Sequence, residues 1–173
     1  MRHLNSIIIV VILLVAQVLI CNYFNLSQFV MLTFLPVIIL CMPVSAGTVR
    51  TLILSFLIGI AVDFFADGIL GMTAAALLPV ALLRKPIITL VFGEEVFARS
   101  ENITMRRQGP FKMNIGIVLS TALFLLVYLH LDDAGLRPFW FNLARFTASL
   151  AASSLISLFI AALITDEERT RWR

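Results

Sequence analysis

Apolar residues run along this chain in long blocks, and polar residues gather between them. Uncharged runs cover Leu4 to Ile20, Phe29 to Val44, Thr51 to Val62, Ile69 to Leu83, Met113 to Leu131 and Phe146 to Ile164. A hydrocarbon layer about 30 Å thick is crossed by about 20 apolar helical residues. The blocks therefore predict an all-α polytopic membrane protein, one bundle of six transmembrane helices at 4–21, 29–45, 51–66, 69–83, 113–131 and 143–164. The fourth block is short, and Pro86 is expected to stop its helix, because a proline inside a helix removes a hydrogen bond and clashes with the preceding turn. Residues 84–112 then form a polar inner loop, in which Ile87 to Phe97 either lies along the membrane surface or is a plain solvated connection.

Composition agrees with the pattern. Of 173 residues, 61% are hydrophobic and 13% charged, against roughly a quarter charged in soluble domains. The first block follows Arg2 and His3 as a secretory signal would, but no small-x-small cleavage site comes after it, so it is expected to stay as the first span. Cys21 and Cys41 fall near opposite ends of adjacent spans and are read as buried small hydrophobes rather than a disulfide.

Charge sets the orientation. With a cytoplasmic amino terminus and six spans, Arg2, Arg50, Arg84, Lys85, Arg99, Arg106, Arg107, Lys112, Arg169, Arg171 and Arg173 lie inside, and only Arg137 and Arg145 outside. That asymmetry follows the positive-inside rule and puts both termini in the cytoplasm. The net charge of +3 thus reports membrane orientation, and nucleic acid is not needed to explain it.

One stretch breaks the apolar pattern: Gly59 to Gly71, "GIAVDFFADGILG". Counting about 1.5 Å per residue from Arg50, Asp63 lies roughly 20 Å up a helix, at a depth where an aspartate facing lipid costs about 2.5 to 3.5 kcal/mol. Ser55, Gly59, Asp63 and Asp67 recur every four residues and form a narrow polar stripe that another helix can approach closely. Gly68 and Gly71 permit a tight turn. Asp63 is expected to anchor that turn, by capping backbone donors or by pairing with a residue such as Arg145. In the sixth span, Ser149, Ser153 and Ser157 beside Ala144, Ala148 and Ala152 predict packing ridges for helix association.

Catalytic chemistry is absent from the pattern. Asp132-Asp133 and Glu94-Glu95 are adjacent in sequence, diverge on a helix and sit beside loops, so both pairs are expected on the solvated surface. His3 and His130 are isolated, no metal-ligand spacing occurs and no glycine-rich phosphate loop is present, so no catalytic, cofactor or metal residue is assigned.

The pattern Gly59-x3-Asp63-x6-Leu70-Gly71, followed by an alanine-rich helix in a chain of short hydrophobic spans, resembles MreD, the family of bacterial rod shape-determining membrane proteins. The layout agrees over nearly the whole chain, though residues 84–112 form a longer inner loop than the family suggests. This resemblance implies a fold similar to the substrate-binding subunits of energy-coupling-factor transporters. It also implies a non-enzymatic inner-membrane part of the cell-elongation machinery. Its partners would be an MreC-like bitopic protein, an MreB-like filament, and a SEDS glycosyltransferase with a class B penicillin-binding protein. The Gly59 to Gly71 hairpin, the sixth-span ridge and the inner loop with Arg106 and Arg107 are then the expected contact surfaces. The alternative is a solute-binding membrane subunit of a vitamin transporter, with Asp63, Arg137, Trp140 and Asn142 lining an outer pocket. A proton or ion path through Asp63 and Asp67 is least supported, since only Ser55 and Thr51 continue it inward.

Overall fold

Apolar blocks become helices wherever several turns can run without interruption, and one block does not. The computed structural model describes residues 2–23, 30–44, 47–67, 69–94, 109–133 and 138–170, with side chains over 10–23, 30–44, 47–66, 69–94, 109–133 and 138–162. Among the described residues six α-helices follow in order: α1 (Arg2–Tyr23), α2 (Leu35–Leu40), α3 (Thr48–Val62), α4 (Met72–Phe92), α5 (Pro110–Asp133) and α6 (Phe139–Thr170). Among the described residues four helical stretches are long and apolar enough to cross a membrane, namely Thr48–Ala66, Met72–Phe92, Pro110–Asp133 and Phe139–Ala162. Val10–Tyr23 is a shorter apolar helix. The protein is membrane-embedded and, among the described residues, contains no strand.

The second expected span is corrected. Among the described residues of that block, 30–44, only Leu35–Leu40 is helical, six residues that rise about 9 Å. Pro36 opens this short helix, Pro43 follows its end, and Val30 to Phe34 is non-helical. All six α2 residues are buried, so this block is apolar because it lies inside the bundle.

The fourth span is corrected as well. α4 runs through both Pro79 and Pro86 to Phe92, 21 residues in all, and is fully long enough to span. Each proline deletes one ladder bond, but Ile87, Ile88 and Phe92 are buried beyond Pro86, and their packing holds the helix together. Neither a surface helix nor a solvated loop begins at Ile87. Arg84 consequently lies about 12 Å before the end of α4 instead of at a helix end.

α3 and α4 pack side by side, α4 packs on α5, and α5 on α6, while α2 wedges against α4 and α5. α1 rests on α3 and on the turn that follows it. The interior holds two apolar clusters. The larger joins Phe34, Ile39, Ile58, Leu77, Phe124 and Tyr128, and the smaller joins Leu40, Ile88, Phe92, Met113, Ile117 and Ala161.

Candidate functional site

Helix α3 does not simply stop. Its ladder widens into a five-residue π-helical turn, Asp63–Asp67, a local distortion frequently found at functional positions. The Asp63 side chain is fully buried and turns across to the start of α4. Its Oδ2 accepts the Gly71 N–H at 2.9 Å and the Ala74 N–H at 3.3 Å, and its Oδ1 accepts the Thr73 N–H at 2.9 Å. The first N–H groups of a helix have no partner within it. Gly71, at φ +98°, offers no side chain to cap them, so Asp63 supplies the cap from eight to eleven residues upstream. A carboxylate here also meets the positive end of the α4 dipole. Asn22, near the end of α1, donates to the Phe65 carbonyl at 3.1 Å and ties the turn to a third helix.

Above this anchored base the turn presents a solvent- or lipid-facing knuckle. Phe64, Phe65, Ile69 and Leu70 are each more than three-fifths exposed, and the two phenyl rings stack edge to face at 5.1 Å. The Asp67 side chain and Gly68 lie outside the described residues.

The polar stripe is filled from within. Ser55, Gly59 and Asp63 are all buried. A Cβ on Gly59 would fall 2.3 Å from the Ala74 Cα and 2.6 Å from its nitrogen. The helix that approaches closely is therefore the chain's own α4, and the Ser55 to Asp63 face is not open to a partner. The Ser55 hydroxyl donates to the Thr51 carbonyl at 2.7 Å.

The serine ridge of α6 is likewise occupied. Ser149 Oγ accepts the Met31 N–H at 2.9 Å, and Ser153 Oγ accepts the Thr33 N–H at 3.1 Å while donating to the Met31 carbonyl at 3.1 Å. From the opposite side Gln17 accepts the Phe34 N–H at 3.1 Å and donates to the Leu32 carbonyl at 3.0 Å. These bonds serve the backbone of the non-helical stretch before α2, which at membrane depth has no water to bond. Along the ridge's flank Ala148 is exposed and Ala152 half-buried.

Arg145 does not reach Asp63. It pairs with Asp132 across the α5–α6 connection, and Asn142 donates to Asp133 beside it. Asp133 and Asn142 border an open groove of about 520 Å³ lined also by Leu129, His130, Phe139 and Phe146. Arg106 and Arg107 lie outside the described residues. No disulfide joins Cys21 and Cys41.

Several buried polar residues escaped the sequence reading, Gln17, Arg84 and Asp133 among them, the last expected on the solvated surface. Gln17 is 1% exposed and Arg84 4%. The Arg84 guanidinium donates to the Leu40 and Met42 carbonyls at the end of α2, favourable company for a cation at the negative end of a helix. Gln17 carried one available signal, as the one amide deep within the first block, Asn5 lying at its start; Arg84 was masked by its neighbours Lys85 and Pro86, which look like a helix end. Among the described residues no group of histidine, cysteine and carboxylate side chains is arranged to hold a metal.

No family model matches the chain, and neither the curated proteins nor the solved structures contain a match to it.

Proposed function

We propose that this chain is a non-enzymatic assembly subunit of a membrane complex, of the kind the MreD resemblance implies, and that the Asp63 turn is its principal docking surface. One observation carries this reading: a turn braced by four backbone hydrogen bonds from Asp63 and Asn22 holds four large apolar side chains outward. A rigid apolar projection is suited to binding a protein surface or another helix, since little ordering entropy is lost on contact. In this reading the chain lies in the bacterial inner membrane with cytoplasmic termini, and aligns an MreC-like protein and the SEDS and penicillin-binding synthases with an MreB-like filament. The buried charged side chains Asp63, Arg84 and Asp133 all engage groups of their own chain, which favours geometry over chemistry as its mode of action.

Affinity capture from detergent-solubilised membranes tests it, comparing the natural protein with a Phe64→Ser, Leu70→Ser double variant. Recovery of a bitopic periplasmic scaffold and cell-wall synthases, lost in the variant at unchanged protein level, is the expected result. Equal recovery of those proteins by both forms removes the turn as the docking surface. The groove between α5 and α6 favours a second reading, a solute-binding transporter subunit, and co-purification of ATPase subunits would select it.

A further inference from the structure

The groove on the α5–α6 seam changes character along its length. Leu126, Leu129, His130 and Asp133 line it from α5, at the positions i, i+3, i+4 and i+7 that share one helix face, and Asn142 and Phe146 line it from α6. The hydrogen bond from Asn142 to Asp133 fixes its polar end at the connection between the two helices. From Asp133 back to Leu126 is seven residues, about 10 Å along α5. In that direction the lining passes from carboxylate and amide, through the imidazole of His130, to Leu129 and Leu126; on α6 it passes from Asn142 to Phe146.

Depth and opening select the kind of occupant. Leu126 and Leu143 of the walls are exposed, so the groove opens sideways, onto the bilayer once these two spanning helices are embedded. Its polar end lies beside Phe139 and Trp140, both about three-quarters exposed, as aromatic residues are at the edge of the hydrocarbon. A volume of about 520 Å³ falls within the range of small-ligand sites. A water-soluble solute is polar over most of its surface. A lipid is polar at the membrane edge and hydrocarbon below it, which is the order of this lining.

Charge and hydrogen bonding select the headgroup. Asp133 is the one carboxylate that lines the groove, and neither lysine nor arginine lines it. Asn142 gives an N–H to Asp133 and has a carbonyl oxygen to accept with. That end therefore suits a cation bearing N–H groups. One turn further in, exposed His130 can donate a ring N–H to a phosphate. We infer that the groove binds a phospholipid of the ethanolamine class, with its ammonium at Asp133 and Asn142, its phosphate at His130 and an acyl chain along Leu129, Leu126 and Phe146. A choline headgroup has the phosphate but no N–H, and a glycerol headgroup brings no cation to Asp133. The inference goes beyond the assembly reading and does not depend on it, since the groove is formed by this chain alone.

Native mass spectrometry of the full chain in detergent tests it, with phosphatidylethanolamine, phosphatidylcholine and phosphatidylglycerol of identical acyl chains added in turn. The ethanolamine lipid should be held about tenfold more tightly than the other two, and should raise thermal stability saturably, as a ligand of the folded state does. Leu143→Trp, which fills the groove from an exposed position, should weaken retention of all three lipids about tenfold. Asp133→Asn should bring the ethanolamine lipid down to the level of the choline lipid and leave that level unchanged, an effect on headgroup choice that a purely structural role would not produce. If Asp133→Asn fails to fold, the preference of the natural protein and the loss in Leu143→Trp decide. Equal retention of the three headgroups by the natural protein, the result expected of lipid that merely coats the bundle, overturns the site. So does tighter retention of the glycerol lipid, or retention unchanged in Leu143→Trp.

Discussion

At Gly59 a single methyl group has nowhere to go. Its neighbour is the Ala74 backbone, which cannot swing aside as a side chain could, so Gly59→Ala should force α3 and α4 apart at a cost of about 1–3 kcal/mol. Thermal unfolding in detergent would measure it, and an unchanged midpoint would show that the two helices are less tightly apposed. Asp63 offers a graded comparison. Asp63→Asn keeps the shape and one acceptor oxygen and should cost about 1–2 kcal/mol, whereas Asp63→Leu strips three N–H groups of their partner and should cost about 3 kcal/mol or more. Much of this pair was readable from spacing, since residues four apart share a helix face and a buried aspartate beside glycines invites a capping role. Spacing could not say that the face meets the chain's own α4. An alanine-rich helix that follows a tight turn and a helix from another protein leave the same signature on Gly59.

Among the elements, the stretch before α2 is the one whose conformation depends on distant partners. Ser149→Ala and Ser153→Ala should each cost about 1–3 kcal/mol by leaving buried N–H groups unpaired. Ser154→Ala should cost under about 0.5 kcal/mol, because that hydroxyl only returns to the Ala151 carbonyl of its own helix. Hydrogen exchange read at Met31 and Thr33 checks the assignment; faster exchange in the two costly variants, and not in Ser154→Ala, is expected. The same stretch explains where pattern reading failed. Hydropathy reports that a segment avoids water, and Phe29 to Val44 does, yet the partners that let its backbone leave the helix lie 15 to 122 residues away. α4 failed for the opposite reason: Pro86 and the Arg84-Lys85 pair carry local signals of an ending, and burial of Ile87, Ile88 and Phe92 overrides them. Thr48–Ala66, Pro110–Asp133 and Phe139–Ala162, whose interiors contain neither proline nor a buried arginine, lie close to the blocks that predicted them.

Across the whole molecule, interior and surface divide the work. Polar groups inside fix the backbone, and the exposed apolar side chains face outward where lipid or another protein can cover them. Phe64→Ser with Leu70→Ser should therefore change unfolding stability by under about 0.5 kcal/mol, while any loss in partner capture measures docking alone. A loss of stability comparable with that of Asp63→Leu would instead assign those side chains to the fold. The α6 serines bear on how the molecule is made. Met31 is made 118 residues before the hydroxyl that satisfies its N–H. Until the last helix arrives, the nascent chain carries unpaired amides in hydrocarbon, a state that quality-control proteases and insertion chaperones can recognise. A chain ended at Asp133 should be degraded in cells, and supplying residues 138–173 as a separate polypeptide should rescue it. α6 thus completes a segment made more than a hundred residues before it, and the fold becomes durable only once α6 is in place.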